Sequence, residues 1–320
     1  MIDIFNLPNN DNNIDIFTAK GINLGWQTWL KPKNAKFIQI LAIGAGGGGG
    51  AGWGALSNSG GGGGGGGSGA ISSGIYPANV LPDILYIQVG TGGAGGSTIR
   101  GANGTNGNAS YVALTNTVVS AITLNEVLLI ARAGNGGNGG ASSVASPGTL
   151  GGSGGAINSS DTLFSKLGVN SYYGGQNGAN GGTTIPTPGN SITLNNIVSG
   201  GAGGGALNVS STGTAGGNIN GVGIVPTISG GSAGITSSIV DASSGYSVLP
   251  SINSFIKTPT IFTGGAGGGT NTSTSSGTGG RGGDGAYGCG GGGGGPSNFS
   301  TTSFGIGGNG GNGLVIITTW

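Results

Sequence analysis

Four times in this chain an apolar run and a glycine tract meet without a break. FIQILAIGAGGGGG (Phe37–Gly50), ILYIQVGTGGAGG (Ile84–Gly96) and VLLIARAGNGGNGG (Val127–Gly140) pass from strand-forming residues into glycine. GGNGGNG (Gly307–Gly313) runs the other way, into LVIITTW (Leu314–Trp320). Short apolar runs bounded by turn residues read as buried strands. Glycine loses more conformational freedom on ordering than any other residue, at about 1–2 kcal/mol of backbone entropy per residue. The chain is therefore either a sheet trailing loose glycine or a sheet continued by a second, repetitive kind of order. The second is expected, because the joins recur.

Composition narrows the alternatives. Glycine supplies 83 of 320 residues, far above the usual share of about 7%. Collagen needs glycine at every third position and abundant proline, and here glycine comes in runs with only 11 prolines. Disorder goes with low hydrophobicity and high net charge, whereas this chain is 5% charged with a net charge of +1. The longest basic stretch is KPKNAK (Lys31–Lys36), which argues against a nucleic-acid footprint. No run of about 18 apolar residues reads as a membrane span. Met1–Asn13 has neither the basic start nor the apolar stretch of a secretory signal, so the chain is expected either to be cytosolic or to leave its cell by another route, such as inside an assembled virion released by lysis. The single cysteine, Cys289, excludes an intrachain disulfide framework. With no histidine to activate it, it reads as a small residue beside packed glycines.

The glycine tracts have a physical solution of their own. Extended left-handed helices of the polyproline II type have three residues per turn and no internal hydrogen bonds, so their N–H and C=O groups point sideways. Without side chains, such polyglycine II helices pack side by side and bond to one another, which satisfies the buried backbone. GGNGGNG occurs in part at Gly136–Gly140 (GGNGG) and fully at Gly307–Gly313, where Asn takes every third position, placing it on one edge that faces solvent or a neighbour. The uninterrupted runs Gly60–Gly67 and Gly290–Gly295 would be interior, with neighbours all round.

In chain order, residues 1–25 read as an N-terminal arm. IDIF occurs at Ile2–Phe5 and again at Ile14–Phe17, around NLPNNDNN. Residues 26–320 form one domain. WQTWLKP (Trp26–Pro32) leads into a strand at Phe37–Ala45, apolar enough to be buried on both faces. An edge strand is expected at Ala70–Ile75 and a strong strand at Ile84–Val89. Ser110–Leu114 and Val118–Leu124 read as a hairpin, followed by a strand at Glu126–Arg132. Asp161–Val169 is the one candidate helix. Weak strands are expected at Ser191–Val198, Val222–Ile228 and Ser251–Phe262. Leu314–Trp320 must pair with the early strands, because nothing else is apolar enough to cover it.

Catalytic motifs are thin. Gly44, Gly46 and Gly49 spell GxGxxG after a strand, but the dinucleotide fingerprint needs a helix to follow, and GAGWGALSNSGGGG is a poor helix former. Zero histidine and one cysteine leave no common zinc site, so no metal or cofactor is expected. The eight carboxylates are scattered, and no enzyme activity is expected. Arg281 and Asp284 in GGRGGDG are either a local ion pair pinning a helix edge or recognition groups. Trp53, Tyr172, Tyr173, Tyr246 and Tyr287 sit among glycine and serine. They either wedge between glycine helices or cover the strand core, or they stack on sugar rings as receptor contacts.

WQTWLKPKNAKFIQILAIGAGGGGG resembles the glycine-rich domain of bacteriophage tail-fibre and related virion proteins, and GGNGGNGLVIITTW resembles its closing strand. A more distant likeness is to the glycine-rich, TNF-like region of anaplastic lymphoma kinase-type receptors, which has a comparable strand–GAGGGGG–LYIQVG–LLIARAG order. The chain lacks that receptor's cysteines and kinase, and it lacks the shaft repeats of long tail fibres. The resemblance implies an all-β, jelly-roll or TNF-like β-sandwich with a packed polyglycine II helix bundle. It also implies a phage virion structural protein, adhesin-like, exposed for attachment to a host glycan or surface protein. Residues 1–25 would dock to other virion proteins, and the chain would be a homo-oligomer, a trimer by that likeness. The alternatives are a minor capsid, decoration or filament subunit without receptor binding, and an ice-binding protein with a flat glycine face.

Overall fold

The computed structural model describes residues 13–20, 25–54, 59–117, 126–141, 150–156, 168–183, 187–194, 196–208, 212–222, 225–234, 247–248 and 261–320. These residues are all-β, with a single 3-10 turn at Ala78–Val80. The strands are β1 (Asn13–Thr18), β2 (Gln27–Leu30), β3 (Phe37–Ile43), β4 (Ile71–Pro77), β5 (Ile84–Gln88), β6 (Ser110–Ala113), β7 (Val127–Ala131) and β8 (Val169–Tyr173). Four two-residue strands follow: β9 (Ile192–Thr193), β10 (Ile219–Asn220), β11 (Ser247–Val248) and β12 (Ile261–Phe262). The last strand is β13 (Leu314–Thr319).

Two antiparallel sheets form a β-sandwich, with strand orders β1-β13-β3-β4-β8 and β2-β5-β6-β7. The core between them follows from the period of two along each strand. Ile38, Ile40 and Ala42 of β3 and Val315 and Ile317 of β13 meet Leu85, Ile87, Val112 and Leu129 of the facing sheet. Each fully buried side chain of this size contributes about 1.5–3 kcal/mol. The alternate residues Ile43, Leu314 and Ile316 point the other way, into a second cluster with Ile71, Val198, Phe262 and Cys289.

The closing strand pairs as expected: β13 lies antiparallel to β3, with Leu314 opposite Ile43 and Thr319 opposite Ile38. The second IDIF motif is strand β1, paired with the far edge of β13. Asp15 of β1 accepts a bond from Trp29 Nε1 at 2.8 Å, which ties this edge of one sheet to β2 of the other. The first motif, Ile2–Phe5, lies outside the described residues.

Several expectations change. Burial on both faces of β3 holds only near its glycine end: Phe37 is exposed, and Gln39 and Leu41 are half-buried. The segment expected as an edge strand at Ala70–Ile75 is interior, because β8 pairs with its outer side. Val169, the last residue of the expected helix, instead begins β8, and residues 161–167 lie outside the described residues. Strand β6 lies between β5 and β7, and Val118–Leu124 lies outside the described residues. Of the weak strands, Ile192–Thr193 pairs in parallel with Ile219–Asn220, and Ile261–Phe262 pairs with Ser247–Val248. Ile228 makes one bridge to Ile219. Residues 223–224 and 251–260 of the expected strands lie outside the described residues.

Beyond the strand ends the glycine segments bond to one another in a three-residue rhythm. The N–H groups of Ala45, Gly48 and Ala51 donate to Asn108, Thr105 and Ala102. Those of Gly46, Gly49 and Gly52 donate to Gly311, Gly308 and Gly305, and those of Gly47, Gly50 and Trp53 to Gly67, Gly64 and Gly61. The carbonyls of this segment accept from three further segments, at Gly134–Gly140, Gly93–Gly101 and Gly291–Ser297. Six segments therefore surround one. Three of the central segments close a cycle: 45–53 donates to 61–67, Gly63, Gly66 and Gly69 donate to Gly294, Gly291 and Gly288, and Gly291, Gly294 and Ser297 donate back to Gly47, Gly50 and Trp53. Both uninterrupted glycine runs lie in this buried interior.

Candidate functional site

The expected receptor aromatics do not converge. Tyr172 and Tyr173 are neighbours on β8, so their side chains leave opposite faces of the sheet. Tyr172 packs against the inter-sheet core, while Tyr173 is 55% exposed. Tyr287 packs on the second cluster, edge-on to Phe262 with ring centroids 5.8 Å apart. Trp53 is half-buried beneath Arg100, whose guanidinium carbon lies 4.4 Å from the ring centroid. Arg100 Nη1 also donates to the Gly54 carbonyl at 3.0 Å. The next residue, Gly101, has φ +67, and a side chain there would run into the Trp53 ring. The packing reading therefore describes Trp53, Tyr172 and Tyr287, the two tyrosines by covering strand clusters, and Tyr246 lies outside the described residues.

An open groove of about 340 Å³ lies on one edge of the glycine bundle. Gln176, Asn177, Asn180, Asn190, Ser191 and Thr193 line it, and no charged side chain does. Gln176 Nε2 donates to the Thr193 carbonyl at 2.8 Å, fixing one wall to the other. Tyr173 stands three residues before Gln176, at most about 10 Å along an extended chain. A neutral, amide-rich groove has the donor and acceptor chemistry to hold a polyhydroxylated, uncharged ligand.

Sequence reasoning saw the asparagine period but missed what the side chains do. Asn309 Oδ1 accepts the Gly95 N–H at 3.0 Å and Asn312 Oδ1 accepts the Gly92 N–H at 2.9 Å. Asn103 and Asn106 do the same for Gly139 and Gly136, and Asn177 and Asn180 for Gly154 and Gly151. Each pair, three residues apart, serves two glycines three apart. Where the bundle has run out of backbone carbonyls, an amide oxygen stands in. The signal was present as NGTNG and NGANG.

Arg281 and Asp284 pair at 2.8 Å, and Asp284 Oδ1 also accepts the Asn309 N–H at 2.7 Å. This is the pinning arrangement: the carboxylate fills the edge role that asparagine fills elsewhere. The half-exposed ion pair itself is worth at most about 1 kcal/mol. Cys289 is fully buried, and its sulfur accepts the Ser199 N–H at 3.4 Å. The GxGxxG match carries no phosphate site, since the N–H groups of Gly46, Gly47 and Gly49 are all bonded to other glycines. Among the described residues no group of three His, Cys, Asp or Glu is placed to hold a metal. No helix among them is long and apolar enough to cross a membrane.

A family profile described as a glycine-rich domain matches residues 21–320. A search of characterised proteins found no significant match.

Proposed function

Because the chain belongs to the glycine-rich domain family, we propose that it is a structural and adhesive module: a virion surface protein whose glycine bundle is a rigid mount for host attachment. The glycine segments are polyglycine II helices in this reading, supported by their three-residue bonding rhythm and six-fold neighbours. The observation that carries the adhesive part is the uncharged, amide-lined groove that follows exposed Tyr173. Its ligand class is a neutral glycan, with Tyr173 stacking on a sugar face and the Asn and Gln amides meeting hydroxyls. The virion setting and the jelly-roll, TNF-like comparison are supported by the WQTWLKP-to-polyglycine segment and its likeness to tail-fibre domains.

A screen of the purified chain against neutral and charged glycans tests this. Binding to neutral glycans that is lost in Tyr173→Ala, with an unchanged melting temperature, is the expected result. No binding, or binding unaffected by Tyr173→Ala and Asn190→Ala, would favour a second reading. That reading is a structural subunit without a receptor, and it is supported by Trp53, Tyr172 and Tyr287 being spent on packing. Immunogold labelling of particles tests the virion setting separately.

A further inference from the structure

Asparagine followed directly by glycine recurs along the glycine segments. Asparagine is a chemically labile residue, and in this pair its side chain is most open to attack by its own backbone. The nitrogen of the following residue adds to Cγ, ammonia leaves with the backbone proton, and a five-membered succinimide forms. Water then opens the ring at either carbonyl, giving aspartate or isoaspartate. One water is consumed and one ammonia released, with no change of oxidation state. Glycine as the second residue puts no side chain in the way. The attacking nitrogen must shed its proton and swing toward Cγ. A hydrogen bond that holds its N–H against a neighbouring segment therefore opposes ring closure.

At several of these pairs a backbone carbonyl holds the nitrogen. Gly104 and Gly107 donate to Gly137 and Gly134, Gly178 to Gly152, and Gly310 and Gly313 to Gly93 and Gly90. Asn135–Gly136 and Asn138–Gly139 are held differently. Both asparagines are exposed, and the glycine N–H groups are bonded to side chains: Gly136 to Asn106 Oδ1 at 2.9 Å and Gly139 to Asn103 Oδ1 at 2.8 Å. We infer that Asn103 and Asn106 guard the neighbouring segment against deamidation, Asn103 protecting Asn138 and Asn106 protecting Asn135. The guarded positions matter to the interior. The carbonyls of Asn135 and Asn138 accept the Gly67 and Gly64 N–H groups, and an isoaspartate there would lengthen the main chain by a methylene and break that register. None of these residues lines the amide groove, so glycan binding and this chemistry can fail separately.

The test incubates the folded full chain in mildly alkaline buffer below its melting temperature. Peptide mass spectrometry that resolves isoaspartate follows each Asn–Gly pair. Wild type should deamidate at Asn135 and Asn138 more slowly folded than in urea. Asn103→Ala should speed Asn138 alone and Asn106→Ala should speed Asn135 alone. Each should do so by about fivefold, the rate factor of a hydrogen bond worth about 1 kcal/mol. Asn103→Asp keeps an oxygen in place, as Asp284 does for the Asn309 N–H, and should leave Asn138 protected. Wild-type rates that match those in urea, unchanged rates in both alanine variants, or loss of protection in Asn103→Asp overturn the inference. So does equal acceleration at Asn135, Asn138, Asn309 and Asn312 in either alanine variant, because general unfolding rather than the lost bond then sets the rate.

Discussion

The buried hydroxyl of Ser110 donates to the carbonyl of Ile43 at 2.7 Å, across the seam where sheet becomes glycine bundle. The same oxygen accepts the Gly90 N–H at 3.1 Å. One side chain thus joins the last residue of β3, the first glycine after β5 and the first residue of β6. These are the points at which ladder bonding stops and glycine bonding starts. Ser110→Ala strands a buried donor and a buried acceptor, and an orphaned group costs about 1–3 kcal/mol. Urea unfolding should show a lower midpoint with an unchanged slope. An unchanged midpoint would mean that the seam has another partner for these groups.

The asparagine edges make a paired prediction. Asn309→Ala removes the acceptor for Gly95 N–H and should cost about 1 kcal/mol. Asn106→Ala should do the same through Gly136. Asn138 is exposed in the same three-residue period, yet among the described residues its side chain accepts no glycine N–H, so Asn138→Ala should be neutral. Hydrogen exchange at Gly95 and Gly136 reads the effect directly. Equal melting of all three variants would sink the idea that amide oxygens stand in for carbonyls.

The strands were legible where apolar side chains carried the signal. Phe37–Ile43, Ile84–Gln88, Val127–Ala131 and Leu314–Thr319 are read directly from Ile, Leu and Val content, and β13 pairs where burial demanded. Strand β8 was not legible: in VNSYY the sheet supplies order through β4, while its own outward residues Val169, Ser171 and Tyr173 are exposed. β2 was missed for a related reason, since QTWL buries only Trp29. The register among glycine segments is invisible in sequence, because runs without side chains look alike in every phase. The same limit applies to the candidate site. Tyr172 and Tyr173 are equivalent as letters, and only the pairing of β8 decides that one joins the core while the other faces solvent.

Cys289 should be chemically silent and should make stability fall at high pH. Its ordinary pKa is 9.0, and burial pushes it up to about 12, with the Ser199 N–H pulling weakly the other way. Between these values the unfolded chain loses the thiol proton and the folded chain keeps it. The contribution is complete below pH 9 and is lost as pH rises toward 12, by up to about 1.4 kcal/mol per unit. Tyr76, also raised by burial, acts in the same direction. Cys289→Ala should therefore flatten the pH dependence of urea midpoints between pH 9 and 11. In native buffer at pH 8 a thiol reagent should label wild type only after urea is added. Rapid native labelling would place the sulfur at the surface and contradict its burial.

The glycine interior makes the most discriminating prediction, because neighbouring residues of one run should respond in opposite ways. A Cβ at Gly63 would fall on the carbonyl of Gly50, and one at Gly48 on the carbonyl of Ala94. Those carbonyls belong to backbone already fixed by its own bonds to other segments, so neither can swing aside as a side chain would. At Gly61, in the same run as Gly63, the nearest atom to an added Cβ is the Ala141 nitrogen at 3.4 Å, an ordinary contact. Gly61→Ala should then be neutral or stabilising, since alanine at a compatible position restricts the unfolded chain by about 0.4–1 kcal/mol. Gly63→Ala should destabilise by several kcal/mol, on the scale of overpacking a core, about 1–3 kcal/mol or more, and Gly63→Val and Gly48→Val should prevent native folding. Thermal melts of the four variants decide the matter. If Gly63→Ala and Gly61→Ala melt together, the tract is not packed as a lattice and glycine there is needed only for flexibility.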